Sequence, residues 1–189
     1  ARKPGTVGPP LPGVECLVVN DAGDVLPVGE TGHLWVRGPN VFQGYWQNVE
    51  KTAESFTPDG YFKTGDLAVI DDEGYISIVG RSKDLIITGG LNVYPKEIEL
   101  VLDAIDGVME SAVIGLPHPD FGESVCAVIV SLPEVDLTPE FIFDQIKTRL
   151  ANFKTPKKIF FLQNLPRNTM GKVQKNQLRE QFSDAAHNQ

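Results

Sequence analysis

Cysteine is nearly absent: two in 189 residues, Cys16 and Cys126, far apart and each inside an apolar run. Such a pair supplies neither metal-ligand spacing nor a disulfide framework, and it points to a reducing, cytoplasmic setting. No apolar run reaches the roughly 18 residues that a membrane span needs, and the first residues lack the order of a secretory signal. An initiator Met is missing too. The opening "ARKPGTVGPPLPG" is a Pro/Gly loop, and the expectation is a piece of a longer chain.

Positive charge is scarce until the end of the sequence. Residues 1–146 hold 23 acids and 8 bases, whereas residues 147–189 hold 2 acids and 9 bases. A basic segment on an acidic protein suits an anionic small molecule or a local phosphate site. It argues against a general nucleic-acid binder, which is basic across a whole face. A solvated basic helix is the plain alternative. No G-x-x-x-x-G-K-[ST] loop is present to cradle phosphates.

What is there is ordinary globular material, with 41% hydrophobic and 22% charged residues, enough for one large domain or two small ones. Residues 14–80 read as β structure. "VECLVV", "GHLWVRG", "DLAVI" and "YISIVG" are short runs of Val, Ile and aromatics set between turn residues, with "DDEG" as a hairpin signal. "YWQNVEKTAESF" between them is polar and helix-like. From Pro95 the pattern changes: Ile98, Val101, Leu102 and Ile105 step along one helical face, with Gly107 as the expected stop. Strands follow at 111–116 and 125–132. A second helix starts at Thr138-Pro139 with Ile142, Ile146 and Leu150 on one face. The strand "KKIFFL" and a last helix from about Gln174 complete the chain. The fold class is therefore α+β: an all-β part over residues 1–82, then a small α/β domain over 83–189.

Four ordered stretches carry a resemblance. "GHLWVRGPNVFQGYW", "GYFKTGDLAVIDDEGYISIVGRSKDLIITGGLNVYPKEIE", "LANFKTPKKIFFLQNLP" and "PRNTMGKVQK" resemble the later signature motifs of the adenylate-forming enzymes. That family includes acyl-CoA synthetases, peptide-synthetase adenylation domains and luciferases. Within it, "GGLNVYPKEIE", "GLPHPDFGE" and "LPRNTMGKVQKNQLRE" are most similar to malonyl-CoA synthetases. The resemblance implies ATP and CoA as co-substrates, with Mg²⁺ assistance, and a small carboxylic acid as the group activated. It also implies that residues 1–82 end a large N-terminal domain, and that residues 83–189 form a small domain swinging between two orientations.

Individual residues fit that picture chemically. Asp66 in "KTGD" offers a carboxylate that can accept from a ribose diol; a turn aspartate bonding its own backbone is the local alternative. Arg81 offers a planar guanidinium for nucleotide oxygens, against a surface salt bridge. The resemblance implies the nucleotide role for both. It also implies a hinge at Lys83 and a pantetheine path along Gly89, Gly90, Phe153 and Thr155. Thr155 replaces a basic residue of some relatives. Lys172, at the glycine-sharpened turn "RNTMGK", is the implied catalytic residue, bridging the attacking carboxylate and the α-phosphate. Arg167, Lys175 and Arg179 read as solvated charge, His118 as structural, and Trp35, Trp46 and Phe56 as packing.

The family's phosphate loop and its Tyr-Gly-x-Thr-Glu motif, which helps hold Mg²⁺, do not occur in these residues. No metal ligands are expected here, and the acid-binding pocket is expected upstream. The 189 residues alone are expected to be inactive, with the N-terminal part of the same chain as a necessary partner. A ligase for another short or aromatic acid, or a non-catalytic docking module, are the competing readings.

Overall fold

The computed structural model describes residues 3–183. The chain divides into two compact units, Ala1–Lys83 and Asp84–Gln189.

The first unit is an antiparallel meander. β1 (Glu15–Val19), β2 (Gly32–Arg37), β3 (Phe62–Ile70) and β4 (Ile76–Arg81) lie side by side in sequence order. The strands turn apolar residues to one face at the positions that pack. Val18, Leu34, Ala68 and Ile76 form the core, backed by Cys16, Leu26, Val36 and Ile70. The "DDEG" turn is closed by Asp71, whose Oδ1 accepts from the amides of Glu73 (3.0 Å) and Tyr75 (2.8 Å). A short helix, α1 (Val49–Ser55), sits in the β2–β3 connection, capped by the Asn48 side chain. Phe42 meets Tyr45, Phe56 and Phe62 edge-on at 5.0–5.6 Å. Phe56 is thus a packing residue, but Trp46 is not. It is 89% exposed, and no ring contact joins it to this aromatic cluster among the described residues.

In the second unit come β5 (Ile86–Thr88), β6 (Leu91–Val93), α2 (Pro95–Asp103), β7 (Val108–His118) and β8 (Gly122–Ser131). They are followed by α3 (Pro139–Ile146), β9 (Lys158–Phe161) and α4 (Lys175–Phe182). The sheet order is β6-β5-β8-β7. β9 runs parallel to β8, pairing Cys126–Ile129 with Lys158–Phe161. β7 lies antiparallel along the other edge of β8.

Helices cover both faces of this sheet, which is why "VCAVIV" is apolar without alternation. On one face Val113, Val125, Ala127 and Ile129 meet Ile98 and Leu102 of α2 and Ile142 and Ile146 of α3. On the other, Ala112, Ile114, Leu116, Cys126, Val128 and Val130 meet Leu178 of α4. There Phe160 and Phe182 stack at 4.1 Å. Each fully buried Ile or Leu contributes roughly 1.5–3 kcal/mol. Pro95 opens α2 at its first turn, and the Thr138 side chain caps α3 by accepting from the Phe141 amide. α2 ends at Asp103, a turn earlier than its periodicity suggests. Gly107, with φ +94°, instead swings the chain into β7.

Candidate active site

In the first unit, β3 and β4 place two charged side chains opposite each other. Thr64 locks the approach: its hydroxyl donates to the Leu34 carbonyl (2.8 Å) and accepts from the Asp66 amide (3.0 Å). Gly65 takes φ +74°, a backbone that favours glycine. The register then sets Asp66 across from Arg81, just before a slip in the ladder between Leu67 and Ala68. Bulges of this kind re-aim side chains.

Arg81 Nε stands 3.0 Å from Asp66 Oδ1, and its Nη1 donates to the Thr64 carbonyl. Their side chains are 48% and 23% exposed, so the pair itself adds only ~0–1 kcal/mol. Its chemical interest is what it leaves open. Asp66 Oδ2 has no hydrogen-bond partner among the described residues, so it can accept from a hydroxyl beside a half-exposed guanidinium. A ribose next to phosphate oxygens fits that donor set. Lys83 lies in the 3-10 turn Ser82–Asp84 at the division between units.

In the second unit, a five-residue turn presents Lys172. The Asn168 amide donates to the Lys172 carbonyl (3.0 Å), and Asn168 Oδ1 accepts from the amides of Met170 and Lys172. Gly171 takes φ +77°, and Arg167 Nη1 donates to its carbonyl. A bridge between Arg167 and Val173 closes the turn. The Lys172 side chain is exposed, and its ammonium has no partner among the described residues.

The neighbouring bases behave otherwise, correcting the expectation that they are solvated. Arg167 pairs with Glu110 of β7. Lys175 Nζ lies 2.5 Å from Glu99 Oε1, with side chains 14% and 9% exposed. Arg179 reaches Asp84 at 3.1 Å. Glu99 also accepts from the Val113 amide, so one carboxylate joins α2, the edge of β7 and the start of α4. Sequence reasoning missed these acids. The signal available for Glu99 was its place beside Ile98 on the apolar side of α2.

Gly89 and Gly90 form the β5–β6 turn with φ +56° and +78°. A side chain at Gly90 would meet nothing within 4 Å, and one at Gly89 would meet only the Phe121 ring at 3.5 Å. Phe153 and Thr155 lie in the turn between α3 and β9. The Thr155 hydroxyl donates to the Ala151 carbonyl, and Lys154 sits over the Phe153 ring while binding Glu97. The structure thus brings Asp66 and Arg81 into direct contact. It leaves Gly89–Gly90, Phe153–Thr155 and Lys172 on three separate loops of the second unit. Among the described residues, no group of acids, His and Cys could hold a metal ion, and no helix is long and apolar enough to cross a membrane.

Comparison with known proteins adds four observations. Residues 1–46 match the family described as AMP-binding enzyme, and residues 97–172 match the AMP-binding enzyme C-terminal domain, ending on Lys172. A long-chain-fatty-acid–CoA ligase of Yersinia pestis is 40% identical over 94% of this chain and 31% of its own length. Among solved structures, ATP-bound MatB from Rhodopseudomonas palustris is 54% identical with a TM-score of 0.93, over 98% of this chain and 37% of that one. The o-succinylbenzoate CoA synthetase MenE of Bacillus subtilis, in complex with its acyl-adenylate, is 38% identical with a TM-score of 0.88, over 94% and 36%. The chain spans about a third of the length of these relatives.

Proposed function

The chain belongs to the AMP-binding enzyme family, and on that premise we propose that it supplies the C-terminal third of a cytoplasmic, ATP-dependent acid–CoA ligase whose acid is malonate. The observation that carries the reading is Lys172: an ammonium without a partner among the described residues, held out on a clamped turn, while Arg167, Lys175 and Arg179 beside it are tied to acids.

In the first half-reaction a carboxylate oxygen attacks the α-phosphorus of ATP. The bond to the bridging oxygen breaks, and pyrophosphate leaves with the electron pair. Lys172 lies against the attacking carboxylate and the α-phosphate, placing positive charge where negative charge develops. Asp66 accepts from the ribose hydroxyls, and Arg81 binds nucleotide oxygens. Mg²⁺, when bound, neutralises phosphate charge; its ligands belong outside these residues. In the second half-reaction the CoA thiol gives its proton to solvent and its sulfur forms the C–S bond, while the acyl C–O bond breaks and AMP departs with the electron pair. The small domain turns about Lys83 between the two steps, bringing Gly89, Gly90, Phe153 and Thr155 along the pantetheine arm.

Malonate is supported by the tail motifs shared with malonyl-CoA synthetases and by 54% identity with MatB. The fatty-acid relative and MenE support a different acid. The test is carboxylate-dependent ATP–pyrophosphate exchange in the longer protein, with malonate, methylmalonate, acetate and benzoate in parallel. Malonate is expected to drive exchange, and Lys172→Ala to lower it on the order of 10²–10³-fold. Exchange driven only by another acid would remove malonate from the reading. Exchange indifferent to Lys172→Ala would remove the catalytic lysine.

A further inference from the structure

The tip of the β7–β8 hairpin is stitched to the glycine turn between β5 and β6. The Phe121 carbonyl accepts from the Gly89 amide at 2.9 Å, and Thr88 bridges to Gly122. One residue on, Glu123 Oε2 accepts from the Ile87 amide at 2.8 Å. The other oxygen of that carboxylate occupies the space left by the missing side chain of Gly115. The two turns are therefore one assembly.

His118 sets the shape of the tip. Its Nδ1 accepts from the amides of both Asp120 (3.2 Å) and Phe121 (3.3 Å), which requires a lone pair there and leaves the ring proton on Nε2. Its ring lies 4.9 Å from that of Phe121. Phe121 is held beside Gly89 yet stays 54% exposed. An open aromatic face next to two bare glycines is a surface for a thin chain that alternates methylene and amide groups. Apolar carbon rests on the ring, and nothing at Gly90 obstructs the approach.

We propose that His118 is a positioning residue for the thioester-forming step: by accepting two amides it seats Phe121 against the Gly89–Gly90 turn, and Phe121 forms one wall of the pantetheine path. The proposal rests on the reading that Gly89 and Gly90 line that path. The residue acts through the loop and touches no reacting atom.

The experiment uses the longer protein and the acid that drives exchange. Acid-dependent ATP–pyrophosphate exchange is measured without CoA, and KM for CoA is measured in thioester formation. His118→Ala is expected to raise KM for CoA about tenfold, the loss of roughly one to two hydrogen bonds, with exchange unchanged. His118→Asn, whose Oδ1 can stand where Nδ1 accepts, is expected to restore most of the affinity. Phe121→Ala should reproduce the KM effect. Equal losses in exchange and thioester formation would overturn the proposal, since a merely structural histidine would act on both. So would failure of Asn to rescue. Gly89→Ala separates this inference from its premise. If it leaves KM for CoA unchanged, the glycine reading has failed. If it raises KM while His118→Ala does not, the glycine reading stands and the positioning role has failed.

Discussion

Lys175→Met removes the main counter-charge of Glu99 and leaves its carboxylate enclosed. With side-chain exposures of 9% for Glu99 and 14% for Lys175, solvent cannot screen the loss. Lys96 remains, but its ammonium is 3.9 Å from Glu99 on a well-exposed stem and compensates weakly. Breaking a pair this enclosed by deleting one partner costs about 3–5 kcal/mol, a large fraction of the roughly 5–15 kcal/mol of a typical domain. Glu99→Gln should cost less, about 1–3 kcal/mol. Its amide oxygen can still accept from the Val113 amide, and the lysine stem can carry its charge outward. The double variant should lie near Glu99→Gln alone, because the stranded carboxylate is gone. The assay is hydrogen exchange of the Val113 amide through a urea series. Tryptophan fluorescence would miss the event, since Trp35 and Trp46 both lie in the first unit. A Lys175→Met variant within about 0.5 kcal/mol of the parent, or strictly additive single changes, would refute the reasoning.

Two further outcomes are expected. Burial pushes the Cys126 thiol above its ordinary value, so at pH 7–8 iodoacetamide should leave it unmodified in the folded chain and label it readily in urea; rapid native labelling would show that this face of the sheet opens. In the first unit, Arg37 and Tyr61 donate to Glu15 and hold its carboxyl below the usual range. That contribution is fully present above the unfolded value, about 4.3, and is lost as pH falls through the lower folded value. Glu15→Gln should therefore destabilise the unit at pH 7 and matter progressively less as the pH falls through the lowered folded value, read by urea unfolding with tryptophan fluorescence. An equal effect across that range would count against the charge.

Strands and helices were legible where their patterns run long. The apolar stretch of β8 and the 3.6-residue step of Ile98, Val101, Leu102 and Ile105 state their partners' faces directly. β6 was not legible: three residues after a double glycine carry no period. α2 was read as ending too late because Ile105, buried beyond the helix, keeps the helical spacing by accident of the following turn. Asp66 and Arg81 were each singled out alone. Their pairing depends on a ladder register that only the folded hairpin supplies. The acids that bind Arg167, Lys175 and Arg179 lie 57, 76 and 95 residues away. No local rule connects charges at that separation, so Arg167, Lys175 and Arg179 read as solvated charge although each is tied to an acid.

The β8 strand serves three neighbours, and they become available at different times in a chain made from its N-terminus. The β7–β8 hairpin is complete once Ser131 exists. Its Cys126–Ile129 edge stays bare until Lys158–Phe161 has been synthesised, and the Ile114, Leu116 and Val128 face waits longer still for Leu178. For that interval the nascent chain carries an apolar ribbon with an unpaired edge, the kind of surface that recruits other strands. α4, which follows Lys172, is therefore also the cover that ends this face's exposure during synthesis.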